Sequence, residues 1–171
     1  MPVNIKQAEV LIQQLHVLVV DDNPYARMIV RSLLSNIGVK RVLEADDGVA
    51  GLDLIRTERP DVVILDWEMP HLNGPEVVRT VRSPGVFPLP DIPIIMLTAH
   101  IERWRILESA KLGVNEFLCK PVSGKALFER LVSILLKPRP IVQLGNYYGP
   151  EPRLPVAEAS CDSSPAKKPA A

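Results

Sequence analysis

Five polar side chains stand at the ends of short apolar runs in this 171-residue chain. Asp21 and Asp22 follow the run from His16 to Val20, and Asp66 follows the run from Asp61 to Leu65. Thr98 closes the run that begins at Ile92, and Lys120, with Pro121 behind it, follows the run from Asn115 to Cys119. Carboxylates crowded together raise one another's pKa unless a cation compensates them. Mg²⁺ is suited to that role, because it takes oxygen ligands from one or two carboxylates, a phosphate and water. Asp21, Asp22, Asp66 and the backbone carbonyl of Glu68 make such a donor set. A carboxylate can also attack phosphorus to give an acyl phosphate. That step requires charge neutralisation on three equatorial oxygens. The metal, the Lys120 ammonium and the Thr98 hydroxyl with nearby backbone N–H groups match that requirement. The chemistry expected is Mg²⁺-dependent phosphorylation of Asp66.

These groups share a site only if the runs are neighbouring strands. From His16 to Leu136 short β-branched runs alternate with longer helical stretches, the pattern of βαβ units and a parallel sheet. After the first strand, Asn23 is a helix cap and Pro24 a first helical residue. Ala26, Ile29, Val30, Leu33 and Ile37 fall at helical spacing before Gly38. A second strand spans about 41–45, and a helix carrying Leu52 and Ile55 ends before Pro60. The run from Asp61 to Leu65 reads as a strand buried on both faces. A loop through Met69, Pro70 and Gly74 leads into a helix of about 75–82, followed by an irregular stretch over 83–91. The remaining elements are a strand over 92–98, a helix over 101–112 stopping at Gly113, a strand over 115–119 and a helix over 123–136. Leu127, Leu131 and Ile134 face inward on that last helix. In open parallel sheets ligands bind beyond the carboxyl ends of the strands, which is where four of the five strands carry polar groups.

Composition narrows the function classes. Lys plus Arg and Asp plus Glu number 20 each, so no net field favours nucleic acid or an anionic membrane. Aromatic residues are only 5% of the chain, scattered at positions such as Tyr25, Trp67, Trp104 and Phe117, which does not suggest a base-stacking surface. Trp104 and Phe87 read as packing residues. No apolar run approaches the roughly 20 residues needed to span a bilayer. Cys119 and Cys161 lie far apart without metal-ligand neighbours, which fits a cytoplasmic protein, and Cys119 reads as a small strand residue. Residues 1–14 form an extension in which Ile5, Ala8, Leu11 and Ile12 line one face of a short helix. The domain proper is expected over 15–137. Residues 138–171 hold seven of the 17 prolines and are expected to be a mostly disordered tail. Within that tail, Tyr147-Tyr148-Gly149-Pro150 is an apolar island suited to docking on the domain or on a partner.

Four motifs in register carry a family likeness. They are the first run with Asp21-Asp22-Asn23, the stretch from Leu65 to Pro70 with Gly74, Met96 to Ala99, and Phe117 to Pro121. Over about residues 15–136 the chain resembles the receiver domains of bacterial two-component response regulators, of the stand-alone, chemotaxis type. The resemblance implies a flavodoxin-like, doubly wound α/β fold with a five-stranded parallel sheet of order 2-1-3-4-5 and helices on both faces. It implies Asp66 as phosphoacceptor, with a histidine kinase or histidine phosphotransfer protein as donor. The protein is then a signalling phosphoprotein that catalyses only its own phosphorylation and dephosphorylation. Thr98 and Phe117 are implied as the switch pair, with Phe117 lacking the hydroxyl of the more familiar tyrosine. Glu68 and His100, each two positions beyond a site residue, are implied to tune dephosphorylation. The Lys120-Pro121 bond is expected to be cis.

The output protein is unknown from the sequence, and the family admits a phosphorylation-dependent homodimer through the last two helix-strand units. The stretch after Leu136 is too short for a winged-helix domain, so direct DNA binding is not expected. Two other readings compete: a phosphorylation-independent adaptor with a vestigial site, and an aspartyl-phosphate phosphohydrolase. The second is disfavoured by Glu68, where such enzymes usually carry another aspartate.

Overall fold

The structure is a computed structural model that describes residues 4–100 and 102–153. A short helix, α1 (Ile5–Gln14), precedes five repeated strand-helix units: β1 (His16–Val20), α2 (Pro24–Asn36), β2 (Arg41–Ala45), α3 (Gly48–Glu58), β3 (Val62–Asp66), α4 (Gly74–Val81), β4 (Ile94–Thr98), α5 (Arg103–Leu112), β5 (Glu116–Cys119) and α6 (Gly124–Leu136). The five strands form one parallel sheet in the order β2-β1-β3-β4-β5, the flavodoxin-like order expected from the motifs. The order reverses between β1 and β3, so their carboxyl ends flank a crevice.

The period-2 geometry of each strand divides its side chains between two cores. On one face Leu18, Val20, Val63, Leu65, Ile94 and Met96 pack with Leu52 and Ile55 of α3 and Val77, Val78 and Val81 of α4. On the other, Val17, Val19, Ile64, Ile95, Leu97 and Leu118 pack with Ile12 of α1, Val30 and Leu34 of α2, and Leu127 and Leu131 of α6. The helix phase on α2 differs from the sequence reading, since Ile29 faces solvent and Leu34 takes the buried place. Helix starts follow local chemistry. Asn23, Asp47 and Ser123 accept hydrogen bonds from the first-turn N–H groups of α2, α3 and α6, and Asn73 with Glu76 forms a reciprocal capping box on α4.

Buried at 6% exposure, Arg82 ties the sheet edge to its connections. Its guanidinium donates to the carbonyls of Gly113 (2.9 Å), Pro90 (2.6 Å) and Ile92 (2.8 Å) and to Asn115 Oδ1 (3.0 Å). Burial pulls this group down to about 10, which still leaves it charged at neutral pH with its four acceptors engaged.

The tail departs from its composition. Residues 141–150 form an antiparallel hairpin, β6 (Ile141–Leu144) and β7 (Tyr147–Pro150), joined by Gly145-Asn146. A two-residue loop led by glycine is a strong hairpin signal, and here it prevails over the prolines that flank it. The hairpin lies against the C-terminal end of α5: a Cβ at Gly113 would lie 2.7 Å from the Tyr148 carbonyl, so the close approach requires glycine. Arg139 donates to the Asn115 and Glu151 carbonyls, the Tyr148 hydroxyl donates to Asp91, and Arg153 pairs with buried Glu116. Expected disorder is thus corrected for 141–150. The part of that expectation falling on 154–171 lies outside the described residues. Because several net hydrogen bonds of roughly 1 kcal/mol each are made here, deleting residues 138–171 is expected to cost about 2 kcal/mol. Urea unfolding monitored by circular dichroism would read this as a lower midpoint with native secondary structure kept; an unchanged midpoint would mean that the hairpin adds nothing to domain stability.

Candidate phosphorylation site

Parallel pairing brings Asp21, Asp22, Asp66, Thr98 and Lys120 to one rim, because each follows or closes a strand whose register is set by its buried neighbours. Together with Asn23, Trp67, Glu68 and Ala99 they line a cleft of about 330 Å³. The side chain of Asp21 is 1% exposed and that of Asp66 8%, whereas Asp22 is exposed. One carboxylate oxygen from each of the three lies within 4.8 Å of the others.

The Lys120 ammonium sits between two of these carboxylates, 2.7 Å from Asp21 Oδ2 and 2.9 Å from Asp66 Oδ1. Burial, the largest single cause, opposes its charge, but the hydrogen bonds to Asp21 and Asp66 and the charges of both together hold its pKa above the ordinary lysine value. One lysine does not offset the cost of burying Asp66. Burial, the largest cause, pushes Asp66 up from 3.8 to about 6; the hydrogen bond and charge of Lys120 pull it down, and repulsion from Asp21 and Asp22 counters that pull. The loop after β1 is fixed from behind: Asp21 Oδ1 accepts from the Asn23 N–H at 2.9 Å, and Arg27 donates to the Asp21 carbonyl at 2.6 Å. After β3 the chain turns sharply, with Gly74 N–H donating to the Trp67 carbonyl. A Cβ at Gly74 would stand 2.5 Å from the Asp66 carbonyl, so only glycine allows α4 to start this close to the site.

Thr98 is 1% exposed, and its hydroxyl accepts from the His100 N–H (3.1 Å) and donates to the His100 carbonyl (3.2 Å). Phe117 is not in the cleft. It lies opposite Met96 on the adjoining strand, half-buried, and packs against the core that Met96 shares with α3 and α4. The Lys120-Pro121 peptide is cis. Glu68 and His100 meet at the rim with Glu68 Oε1 3.6 Å from His100 Nε2. Trp104 is half exposed, stacked edge-on against buried Trp67, while Phe87 is buried under Arg56.

Two arginines near the site had not been singled out in the sequence. Arg27 braces the Asp21 carbonyl. Arg105, 12% exposed, donates to Glu68 Oε1 at 2.7 Å and holds the Glu68 carboxyl below the usual range. A signal for it existed: a cation in the first turn of a helix opposes the helix dipole, a placement that calls for a specific partner.

Comparison with known proteins agrees with this geometry. The model of the response regulator receiver domain matches residues 17–132. Chemotaxis protein CheY-3 of Vibrio cholerae is 34% identical over 125 residues, 73% of this chain and 95% of that protein. A chemotaxis protein CheY homolog of Campylobacter jejuni is 39% identical over 119 residues, 69% of this chain and 90% of that protein. Among solved structures, Vibrio cholerae CheY4 superimposes with a TM-score of 0.63 at 32% identity, covering 71% of this chain and 98% of that one. The receiver domain of a signal transduction histidine kinase from Syntrophus aciditrophicus gives 0.62 at 25% identity, covering 77% and 98%. The α1 helix and the β6–β7 hairpin lie outside the matched segment. No helix among the described residues is long and apolar enough to cross a membrane. With the site, the sheet order and the relatives in agreement, the chain belongs to the response regulator receiver domain family.

Proposed function

We propose that this protein accepts a phosphoryl group on Asp66 from a histidine kinase or histidine phosphotransfer protein in the cytoplasm, and that the change either controls a protein partner or passes the group onward. The observation that carries this reading is the Lys120 ammonium held between Asp21 and Asp66 at a cleft rimmed by a third carboxylate.

The donor set fits Mg²⁺: hard oxygens only, clustered closely enough for a single ion, with a raised Asp66 pKa that a cation would relieve. Asp21, Asp22, Asp66 and the backbone carbonyl of Glu68 would hold it. Bound there, it would offset negative charge on the transferred oxygens. An Asp66 carboxylate oxygen forms the new O–P bond as the P–N bond to the donor imidazole breaks, and the imidazole keeps that electron pair. Lys120 then has a phosphoryl oxygen as a third anionic neighbour. Thr98, by giving up its two bonds to His100, can turn its hydroxyl to another oxygen, and the space it leaves is open to Phe117. Glu68 and His100 flank the phosphorus and set access for the hydrolytic water. The face formed by α5, β5 and α6 is the surface proposed for a partner or a second copy.

Acetyl phosphate with Mg²⁺ tests the reading by intact-mass and peptide mapping. Wild type should gain one phosphoryl group at Asp66, and Asp66→Asn should gain none. Unmodified wild type would favour the adaptor.

A further inference from the structure

The rim of the cleft carries an unusual cluster on its β4 side. The Arg105 guanidinium lies 5.2 Å from the ring centres of both Trp67 and Trp104, two indoles set edge to face at 6.2 Å. From that slot it donates to Glu68 Oε1 at 2.7 Å, and a second nitrogen approaches Thr98 Oγ1 at 3.4 Å. Stacking on two rings fixes the planar cation without using its N–H groups, so those groups are free to act on site residues. Glu68 itself is more than half exposed and lines the cleft, with His100 Nε2 3.6 Å from its carboxylate and Arg105 as its hydrogen-bonded cation.

The consequence follows from charge. A phosphoryl donor is anionic and must pass a rim that already holds Glu68 beside Asp22. Without Arg105 the exposed Glu68 carboxylate at that rim loses its hydrogen-bonded cation, and a like charge at a cleft mouth slows the approach of an anion. We propose that Arg105 is a positioning residue for phosphorylation of Asp66. It holds the Glu68 carboxylate against the Trp67-Trp104 slot and cancels its charge, so that anionic donors can engage the site. The inference rests on the reading of Asp66 as phosphoacceptor. It assigns to Arg105 a role that no motif of the chain displays.

The test uses the full chain, radiolabelled acetyl phosphate and saturating Mg²⁺ at low ionic strength. Arg105→Met retains an apolar stem between the indoles, and Arg105→Ala removes it; both are expected to slow initial labelling about tenfold, by the electrostatic effect on association. Adding Glu68→Gln to either variant should restore the rate to within about twofold of wild type, since the charge that Arg105 offsets is then gone. Arg105→Lys should be intermediate, because it keeps the charge and loses the fork. Raising salt should shrink the defect of Arg105→Met by screening. A purely structural role predicts a defect that neither Glu68→Gln nor salt relieves, and that result overturns the proposal. Arg105→Met labelled as fast as wild type also overturns it. Wild type that takes no label is a different outcome: it overturns the phosphoacceptor reading itself. Should Arg105→Ala fail to fold, the comparison of Arg105→Met with Arg105→Met/Glu68→Gln decides.

Discussion

Lys120→Met is expected to cripple both stability and chemistry. The substitution keeps the length and apolar stem of the side chain and removes the ammonium that stands 2.7 Å from Asp21 and 2.9 Å from Asp66. Two carboxylates with side chains only 1% and 8% exposed are then left without their shared cation. Breaking a buried ion pair on one side costs about 3 to 5 kcal/mol; with Lys120 itself 24% exposed, a loss of about 3 kcal/mol at pH 7 without metal is expected. The deficit should shrink on acidification. Protonating Asp66 removes the repulsion in the variant and the attraction in wild type alike. Urea titrations at pH 7 and pH 4.5 in EDTA measure this, and equal deficits at both pH values would contradict it. On the proposed function the same variant also lacks the ammonium that would neutralise a phosphoryl oxygen, so labelling by acetyl phosphate should fall by about 10²-fold or more.

Asp66→Asn should move stability the other way. Asp66 titrates near 6 in the folded chain against 3.8 for the ordinary group, with the attraction of Lys120 already included in that balance. Between these two values the folded state holds the proton more tightly than the unfolded state, so stability falls as pH rises through the window. Above about 6 the whole penalty is present. Two units correspond to at most about 3 kcal/mol, and asparagine removes the charge in nearly the same volume. Metal-free Asp66→Asn is therefore expected to be about 2 kcal/mol more stable than wild type at pH 7, or about 5 °C in Tm. At pH 4 the two should coincide. Millimolar Mg²⁺ should raise wild type and narrow the gap at pH 7. A wild type more stable than the variant in EDTA at neutral pH would contradict the charge strain inferred for the site.

Much of the fold was legible along the chain because parallel sheets have a local signature. Strands buried on both faces read as apolar runs, and the positions of Asn23, Pro24, Gly38, Pro60 and Gly113 punctuate them. Element ends differ by a residue or two: α4 begins at Gly74, and β3 extends to include Asp66. Those ends depend on hydrogen bonds to neighbouring segments rather than on residue type. The hairpin at 141–150 was misjudged because composition averages over a segment, whereas a turn of two residues and one close glycine contact decide whether it pairs and docks.

For the site the division is similar. Residue type and position at strand ends were enough to pick out Asp21, Asp22, Asp66, Thr98 and Lys120, since in a parallel sheet every such end arrives at the same rim. What the chain order could not supply is how charge balances once those ends converge. That Lys120 bridges Asp21 and Asp66, that Asp66 is pushed up while Glu68 is held down, and that Arg105 is slotted between Trp67 and Trp104 all depend on burial and on contacts between residues distant in sequence. Carboxylates, cation and hydroxyl were therefore encoded locally as residue types. The pKa shifts of Asp66 and Glu68, the pairing of Lys120 and the seat of Arg105 between two indoles exist only in the folded chain, because Coulomb energy depends on distance and dielectric rather than on sequence separation.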